Sequence, residues 1–287
     1  MATPLPADRF LAALRDEGVT VVEHPGWRTH NRNHVGAWGP VAGVMIHHTV
    51  STGTASSVEM CFNGYEGLPG PLCHGVIAKD GTVHLVGSGR ANHAGAGDPS
   101  VLQAIITETY GERPPAPRFH QGSTGAVDGN SRFYGFECIN LGDGKDPWPA
   151  EQLLAIERVS AALCRAHGWG ARSVIGHLEW SDWKSDPKGF GMPTLRTRVQ
   201  SRLAKDPAKP TTPAPTPPKE NPVAPSKEGI ALAVLTYREK RADEASKKAG
   251  RRIPDVYGYI VGTYTTVQGI AADLKKLVAL LTAQKEK

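Results

Sequence analysis

The feature that most constrains this chain is a proline-rich segment near residue 210. Between positions 206 and 219 proline occurs six times, and large apolar residues are absent. Such a composition cannot build a core and favours an extended, semi-rigid spacer. We therefore divide the 287 residues into a main domain at 1–204, a proline-rich linker at 205–228 and a separate C-terminal domain at 229–287.

Charge is distributed unevenly over these parts. Residues 1–204 contain 18 Lys and Arg against 19 Asp and Glu, a balance of −1, whereas residues 226–287 contain 12 against 7, a balance of +5. Because nucleic-acid binding requires a clustered basic face, the main domain is not expected to bind nucleic acid. The basic tail leaves two interpretations open: attraction to an anionic surface such as a wall polymer or membrane, or a solvated helical face.

The sequence carries no sign of export or of membrane insertion. The start, Met-Ala-Thr-Pro-Leu-Pro-Ala-Asp-Arg, has neither a basic n-region nor an apolar h-region, so no signal peptide is expected. The uncharged run at 256–272 is too polar and too short to predict a membrane span. Synthesis in a reducing cytoplasm follows, and the four cysteines, which form no CxxC pair, are expected to be free, packed thiols.

Alternating helix and strand patterns predict an α/β fold. Apolar residues recur at helical spacing in 8–17, 150–167 and 195–203, and β-branched apolar runs occur at 41–50 and 133–140. Two further apolar runs between 74 and 86 flank Asp80-Gly81, which is a strong hairpin signal. The sequence thus predicts a mixed central β-sheet flanked by helices.

Histidine and acidic residues near the ends of these elements indicate a metal site. His47 lies at the end of the apolar run at 41–50, and His177 and Asp186 lie within ten residues of each other in a later loop. A hydrolytic zinc site needs about three N, S or O ligands and leaves a fourth position to water. On spacing alone, a histidine near a strand is more often a hydrogen-bonded structural residue than a metal ligand.

Two further charged residues have more than one interpretation. Glu137 lies in an otherwise apolar strand, where an unpaired carboxylate is costly. It is either a catalytic base or the partner of a buried arginine such as Arg132 or Arg90. Lys184 either stabilises negative charge on a substrate oxygen or is an exposed loop residue.

The order of motifs along the chain resembles a known family. Val-Met-Ile-His-His-Thr at 44–49 is followed by Lys-Asp-Gly-Thr-Val at 79–83, Asn-His-Ala-Gly at 92–95, Tyr-Gly-Phe-Glu at 134–137, Gly-His at 176–177 and Lys-Ser-Asp-Pro at 184–187. This order closely resembles the type 2 N-acetylmuramoyl-L-alanine amidases, which include many bacteriophage endolysins and the animal peptidoglycan recognition proteins. The resemblance covers residues 38 to 204 and implies a zinc hydrolase whose partner is peptidoglycan.

The resemblance implies roles for five residues of this chain. His47, His177 and Asp186 match the zinc ligands, with an acidic third ligand where other members use cysteine. Glu137 and Lys184 match the family's glutamate and lysine, and we expect them to act as the base and as the group that stabilises the oxyanion. The bond to be cleaved is then the amide between the lactyl group of muramic acid and L-alanine.

Three more positions match residues of the family's substrate groove, namely Asn92, His93 and His74. One position departs from the pattern. Some members place a catalytic tyrosine just before the first histidine of the hairpin, where this chain has Cys73. This departure favours Glu137 with Lys184 as base and electrophile, and it leaves Cys73 without an assigned role.

An amidase joined through a proline-rich linker to a small tail resembles a modular phage endolysin. Such a protein is expected in the host cytoplasm before lysis and then on the cell wall. In the tail, Ile260, Val267, Leu274 and Leu281 recur every seven residues, which predicts a helical pair that either binds the wall or self-associates. Three alternatives stay open: a virion-associated lysin, a bacterial wall-recycling amidase, and a non-catalytic peptidoglycan-binding protein, which would be expected to lack a ligand.

Overall fold

The fold is organised around a six-stranded mixed sheet. The computed structural model describes residues 1–207, so the predictions made for 208–287 lie outside the described residues. The strands are β1 (Val21–Glu23), β2 (Gly43–His48), β3 (Gly64–Tyr65), β4 (Leu68–Pro69), β5 (Gly75–Ile77), β6 (Val83–Leu85), β7 (Ala96–Gly97), β8 (Val127–Asp128), β9 (Phe133–Cys138) and β10 (Val174–Gly176). The large sheet has the order β1-β6-β5-β9-β2-β10, and every neighbouring pair is parallel except β5 with β6. The remaining four strands form two short antiparallel pairs.

Within residues 1–207, five α-helices cover both faces of the large sheet. They are α1 (Ala7–Asp16), α2 (Thr54–Asn63), α3 (Pro99–Thr107), α4 (Ala150–His167) and α5 (Met192–Leu203). Helices α1, α4 and α5 share one apolar core with the sheet, whereas α2 and α3 pack in two smaller clusters on the other side. The predicted mixed central sheet flanked by helices is confirmed.

The predicted elements differ from the observed ones mainly at their ends. The predicted helix at 150–167 coincides with α4, which ends where Gly168 adopts a left-handed conformation with φ of 69°. The hairpin joined at Asp80-Gly81 is confirmed as β5 and β6. The predicted strand 41–50 is shorter, because Val41 forms its bridge with Ala2 and Val50 has φ of 51°.

Alternation of side chains along β2 and β9 decides which residues face which layer. On β2, Val44 and Ile46 join the core under α4, whereas Met45 joins the cluster that contains α3. Successive strand residues point to opposite faces, so His47 shares the face of Met45. His47 also pairs directly with Glu137 of β9, which lies on the same face.

The described residues contain no helix that is both long and apolar enough to cross a membrane. All four cysteines are buried free thiols, as expected from the sequence. Cys138 and Cys164 belong to the core under α4, and Cys61 and Cys73 belong to the cluster that contains α2. Their packing is that of small apolar side chains.

A buried ion pair ties α5 to the turn that follows β10. Arg196 donates from Nη1 to Oε2 of Glu179 at 2.8 Å and from Nη2 to Oε1 at 2.9 Å, and both residues are buried. Arg196 also donates to the carbonyl of Val174, and Glu179 accepts the backbone N–H of Gly176. The pair therefore holds the chain on both sides of His177.

We expect Arg196→Ala to lower the free energy of unfolding by about 3–5 kcal/mol, because it leaves the Glu179 carboxylate buried without a cation. Denaturant unfolding followed by circular dichroism measures the change. Arg198→Ala is the control on the same helix: its side chain is 44% exposed and its partner Glu157 keeps Arg202, so the loss should stay below about 1 kcal/mol. Equal losses in the two variants would contradict the assignment.

Candidate metal centre

Three parallel strands bring the predicted site residues to one edge of the sheet. Strand β2 lies between β9 and β10. Glu137 pairs with His47 in register, and Gly176, the last residue of β10, pairs with Ile46. The next residue, His177, therefore leaves the sheet beside His47. Because parallel strands end at the same edge, residues that are distant in sequence meet there.

Side-chain atoms of His47, His177 and Asp186 converge on one point. Nδ1 of His47 lies 3.0 Å from Nδ1 of His177 and 3.0 Å from Oδ2 of Asp186. Nδ1 of His177 lies 3.2 Å from the same Oδ2. Both histidines are buried, and the aspartate side chain is 15% exposed. Within residues 1–207 these three form a group with the spacing of metal ligands.

The outer hydrogen bonds of the two histidines determine which ring nitrogens carry protons. Nε2 of His177 lies 3.2 Å from the carbonyl of Ala94, to which it can only donate. Nε2 of His93 likewise donates to the carbonyl of Phe133 at 3.0 Å, so Nδ1 of this neutral ring accepts from Nε2 of His47 at 3.0 Å. Each of His47 and His177 therefore turns a lone pair on Nδ1 towards Asp186.

Burial and neighbouring charges support this protonation pattern. Burial, together with the neighbouring His177, lowers the pKa of His47 to about 4. Burial and then His47 and His74 lower the pKa of His93 well below its ordinary value. Burial raises the pKa of Asp186, but hydrogen bonds to His177 and His47 and positive charge at these rings outweigh burial and hold that pKa below its usual range. The Asp186 carboxylate is therefore ionised and needs a positive charge beside it, which either a ring proton or a metal ion supplies.

This donor set fits a zinc ion. Two imidazole nitrogens and one carboxylate oxygen are ordinary zinc ligands, and three protein ligands leave the fourth position open to water. Ligands that bind zinc tetrahedrally at about 2.0 Å lie about 3.3 Å from one another, which is close to the observed separations of 3.0 to 3.2 Å. When Nδ1 of both rings is unprotonated, the three ligand atoms are all acceptors and need a cation among them.

Residues outside the ligand group hold His93 in place. A Cβ atom at Gly135 would lie 2.5 Å from Nδ1 of His93, so the absence of a side chain there makes room for the ring. The backbone N–H groups of His93, Ala94 and Gly95 point at Oδ1 of Asn130, at 2.9, 2.8 and 3.3 Å. Asn130 therefore fixes the loop whose ring and carbonyl support the two histidine ligands.

Glu137 and Lys184 border the same centre. Glu137 is partly exposed to the adjoining cavity, yet its Oε2 atom is buried and has no hydrogen-bond partner. Burial, then Cys61 and Asp186, raise the pKa of Glu137 well above its ordinary value, while the Lys184 ammonium opposes this. The arginine partner considered from the sequence is absent, because Arg132 donates to Pro40 and Arg90 pairs with Asp128.

A cavity of about 300 Å³ opens onto the cluster. Its lining includes all five residues assigned as ligands, base and oxyanion group, and also Asn92 and His93. His93 is only 8% exposed and both of its ring nitrogens are hydrogen-bonded. His93 therefore supports the ring of His47 and has little surface left to contact a substrate. The amide of Asn92 donates to the carbonyl of Pro69 at the rim.

The predicted substrate contact of His74 does not agree with its position. His74 is outside the cavity lining, accepts the N–H of Gly135 at Nδ1 and donates from Nε2 to the carbonyl of Gly89, both at 2.9 Å. It ties the hairpin to β9 and is a structural residue. Cys73 is fully buried, and burial followed by Cys61 raises the pKa of its thiol well above the ordinary value. Cys73 also lies outside the cavity lining, so it does not take the place of a catalytic tyrosine.

Sequence reasoning missed two features of this region: the support that Asn130 gives to the loop of His93, and the stacking of Trp183 on His120. Asn130 had no motif of its own, and only its place after Asp128-Gly129, a turn signal, could have drawn attention. The ring of Trp183, next to Lys184, stacks on His120. No spacing rule links His120 to Trp183, because they lie on separate loops.

Comparison with known proteins agrees with the geometry. The family described as N-acetylmuramoyl-L-alanine amidase matches residues 37–189. No curated protein sequence matches the chain.

Solved structures similar to this chain include three bacterial and phage proteins. The N-acetylmuramoyl-L-alanine amidase LysC from Clostridium intestinale URNW is 16% identical, with 63% of this chain and 97% of that chain covered and a TM-score of 0.39. The Staphylococcus aureus hydrolase AmiA in complex with its ligand is 12% identical, with 74% and 98% covered and a TM-score of 0.44. The Ph2119 endolysin from the Thermus scotoductus bacteriophage Ph2119 is 14% identical, with 62% and 98% covered and a TM-score of 0.39.

The family match spans more than half of the 287 residues and contains every residue of the converging cluster. The chain therefore belongs to the N-acetylmuramoyl-L-alanine amidase family.

Proposed function

We propose that this protein is a zinc-dependent N-acetylmuramoyl-L-alanine amidase that hydrolyses the amide between the lactyl group of muramic acid and L-alanine in peptidoglycan. Family membership supports the reaction class. One observation carries the metal dependence: two imidazole nitrogens and a carboxylate oxygen, all able to act as acceptors, meet within 3.2 Å, while the outer nitrogens of both rings have other partners. Such acceptors repel one another unless a cation lies among them.

When bound, zinc supplies a Lewis acid and a water of lowered pKa. His47, His177 and Asp186 would hold it. Glu137 takes a proton from the water as the oxygen bonds to the carbonyl carbon, and it passes that proton to the amine of L-alanine as the C–N bond breaks. The Lys184 ammonium stabilises the negative charge that develops on the carbonyl oxygen.

The environment of Glu137 suits this exchange of a proton. A carboxylate whose Oε2 is buried and unpaired is a stronger base than one in water, which favours taking the proton. The opposing charge of Lys184 keeps the ionised form accessible. The raised pKa also means that Glu137 holds the proton, once taken, until the amine of L-alanine receives it.

For the biological setting we propose a modular phage endolysin that is present in the host cytoplasm before lysis and acts on the wall afterwards. The proline-rich segment and the basic excess of residues 226–287 support this setting, because a spacer that carries a cationic module suits an insoluble anionic polymer. A non-catalytic wall-binding protein is disfavoured by the complete set of three ligand residues.

We expect Glu137→Gln to lower turnover on purified cell wall by about 10²- to 10⁴-fold while one zinc per chain is retained, because the change removes only the proton acceptor. Asp186→Ala should instead lose the metal. Zinc is measured by elemental analysis, and products by release of free L-alanine amino groups. Release of reducing sugar ends in place of amino groups would refute the amidase assignment, and near-normal lysis by Glu137→Gln would refute the base.

We expect His93→Leu to weaken zinc binding about 10- to 100-fold, because His47 loses the acceptor that fixes its ring. Competition with a chromogenic chelator measures the affinity independently of activity. His93→Asn is the matched control, since its Oδ1 can take the place of Nδ1 as acceptor, and it should bind zinc more tightly than the leucine variant. Equal affinity of wild type and His93→Leu would contradict the supporting role.

A further inference from the structure

Exposed apolar side chains concentrate at the mouth of the cavity. Val50, Tyr65 and Trp183 are 67%, 60% and 68% exposed, and all three line the cavity that contains the metal cluster. Large apolar groups exposed together around a polar pocket are typical of a binding surface. Trp183 has the largest area of the three and lies directly before Lys184.

The ring of Trp183 is held in a fixed orientation. It stacks on the imidazole of His120 with ring centroids 3.6 Å apart and an angle of 12° between the planes. Nδ1 of His120 donates to Oδ1 of Asp182 at 2.8 Å, and the backbone N–H of Asp182 donates to the carbonyl of Phe119. One face of the indole is thus covered by His120 and the other is left open.

The surroundings of this open face favour a sugar over a peptide. A flat indole accepts the apolar C–H face of a pyranose ring, while the sugar hydroxyls stay in water. The stem peptide of peptidoglycan carries carboxylates and amides, and an open indole face offers these groups neither a charge nor hydrogen-bond acceptors. The stacking surface therefore suits a sugar ring better than a stem peptide at Trp183.

The chemistry of the substrate places the glycan on the same side. In the proposed reaction Lys184 contacts the oxygen of the scissile carbonyl, and that carbonyl belongs to the short lactyl arm of the muramic acid ring. The sugar must therefore lie near the residue that contacts the carbonyl oxygen, whereas the peptide leaves from the nitrogen side. Trp183 adjoins Lys184 in the chain and lines the same cavity.

We propose that Trp183, supported from behind by His120, is a platform that binds the glycan strand of the substrate. This inference rests on the proposed amidase function and names the half of the substrate that this wall of the cavity recognises. Two inhibitors separate the halves: a peptide-free tetrasaccharide of alternating N-acetylglucosamine and N-acetylmuramic acid, and the free stem peptide. Inhibition is measured in the full-length protein on a soluble muropeptide, so that only binding which competes at the active site is detected.

We expect Trp183→Ala to raise the inhibition constant of the tetrasaccharide about tenfold and to leave that of the stem peptide within about twofold, because only the stacking surface is lost. Trp183→Phe keeps a flat ring and should restore most of the affinity. Trp169→Ala is the matched control: Trp169 also stacks on a histidine, His167, but lies outside the cavity lining, so both inhibition constants should stay unchanged.

The outcomes distinguish this inference from the proposed function. Absence of turnover by the wild-type protein would refute the amidase, and it would refute the platform with it, because the platform is a subsite for the substrate of that reaction. With turnover present, the platform is refuted if the tetrasaccharide fails to inhibit, or if its constant is the same in wild type and Trp183→Ala. It is also refuted if the stem peptide weakens as much as the tetrasaccharide, since that would indicate a peptide site or a general distortion of the loop.

Discussion

The parallel pairing of β2 with both β9 and β10 is the constraint on which the site depends. Backbone hydrogen bonds set the register, and a slip of one residue would turn every side chain of a strand to the opposite face. In the observed register His47 is opposite Glu137, and His177 begins where β10 ends. The apolar residues that precede His47 hold this register, because Met45 and Ile46 are fully buried in different layers.

A second layer of residues makes the cluster suitable for a metal. Buried imidazoles are costly unless their ring nitrogens are paired, and here the outer nitrogens are paired with Ala94 and with His93. This pairing turns the remaining lone pairs inwards. The space for the His93 ring exists because Gly135 has no side chain, and the loop that carries His93 is held by the single side-chain oxygen of Asn130.

The parts of the centre that contribute least to stability are the ones nearest the proposed chemistry. Glu137 keeps an oxygen buried without a partner, and Trp183 exposes a large ring to solvent. In contrast, the buried charges of Arg196 and Glu179 are paired with each other through two hydrogen bonds. An unpaired buried oxygen and an exposed aromatic ring that border the same cavity are typical of a functional site.

The sequence by itself determined the type of fold and the candidate ligands, because periodicity, turn residues and the order of motifs are local properties. It predicted α4 and the β5–β6 hairpin, and the order of the motifs identified His47, His177 and Asp186 as candidate ligands. Only the tertiary structure decided the roles of the other histidines. His74 hydrogen-bonds to the backbone of Gly89, and His93 supports His47 by accepting its N–H. His120 stacks on the ring of Trp183. These roles depend on which carbonyls and rings approach each imidazole from other strands and loops, and residue spacing carries no information about such contacts between distant segments.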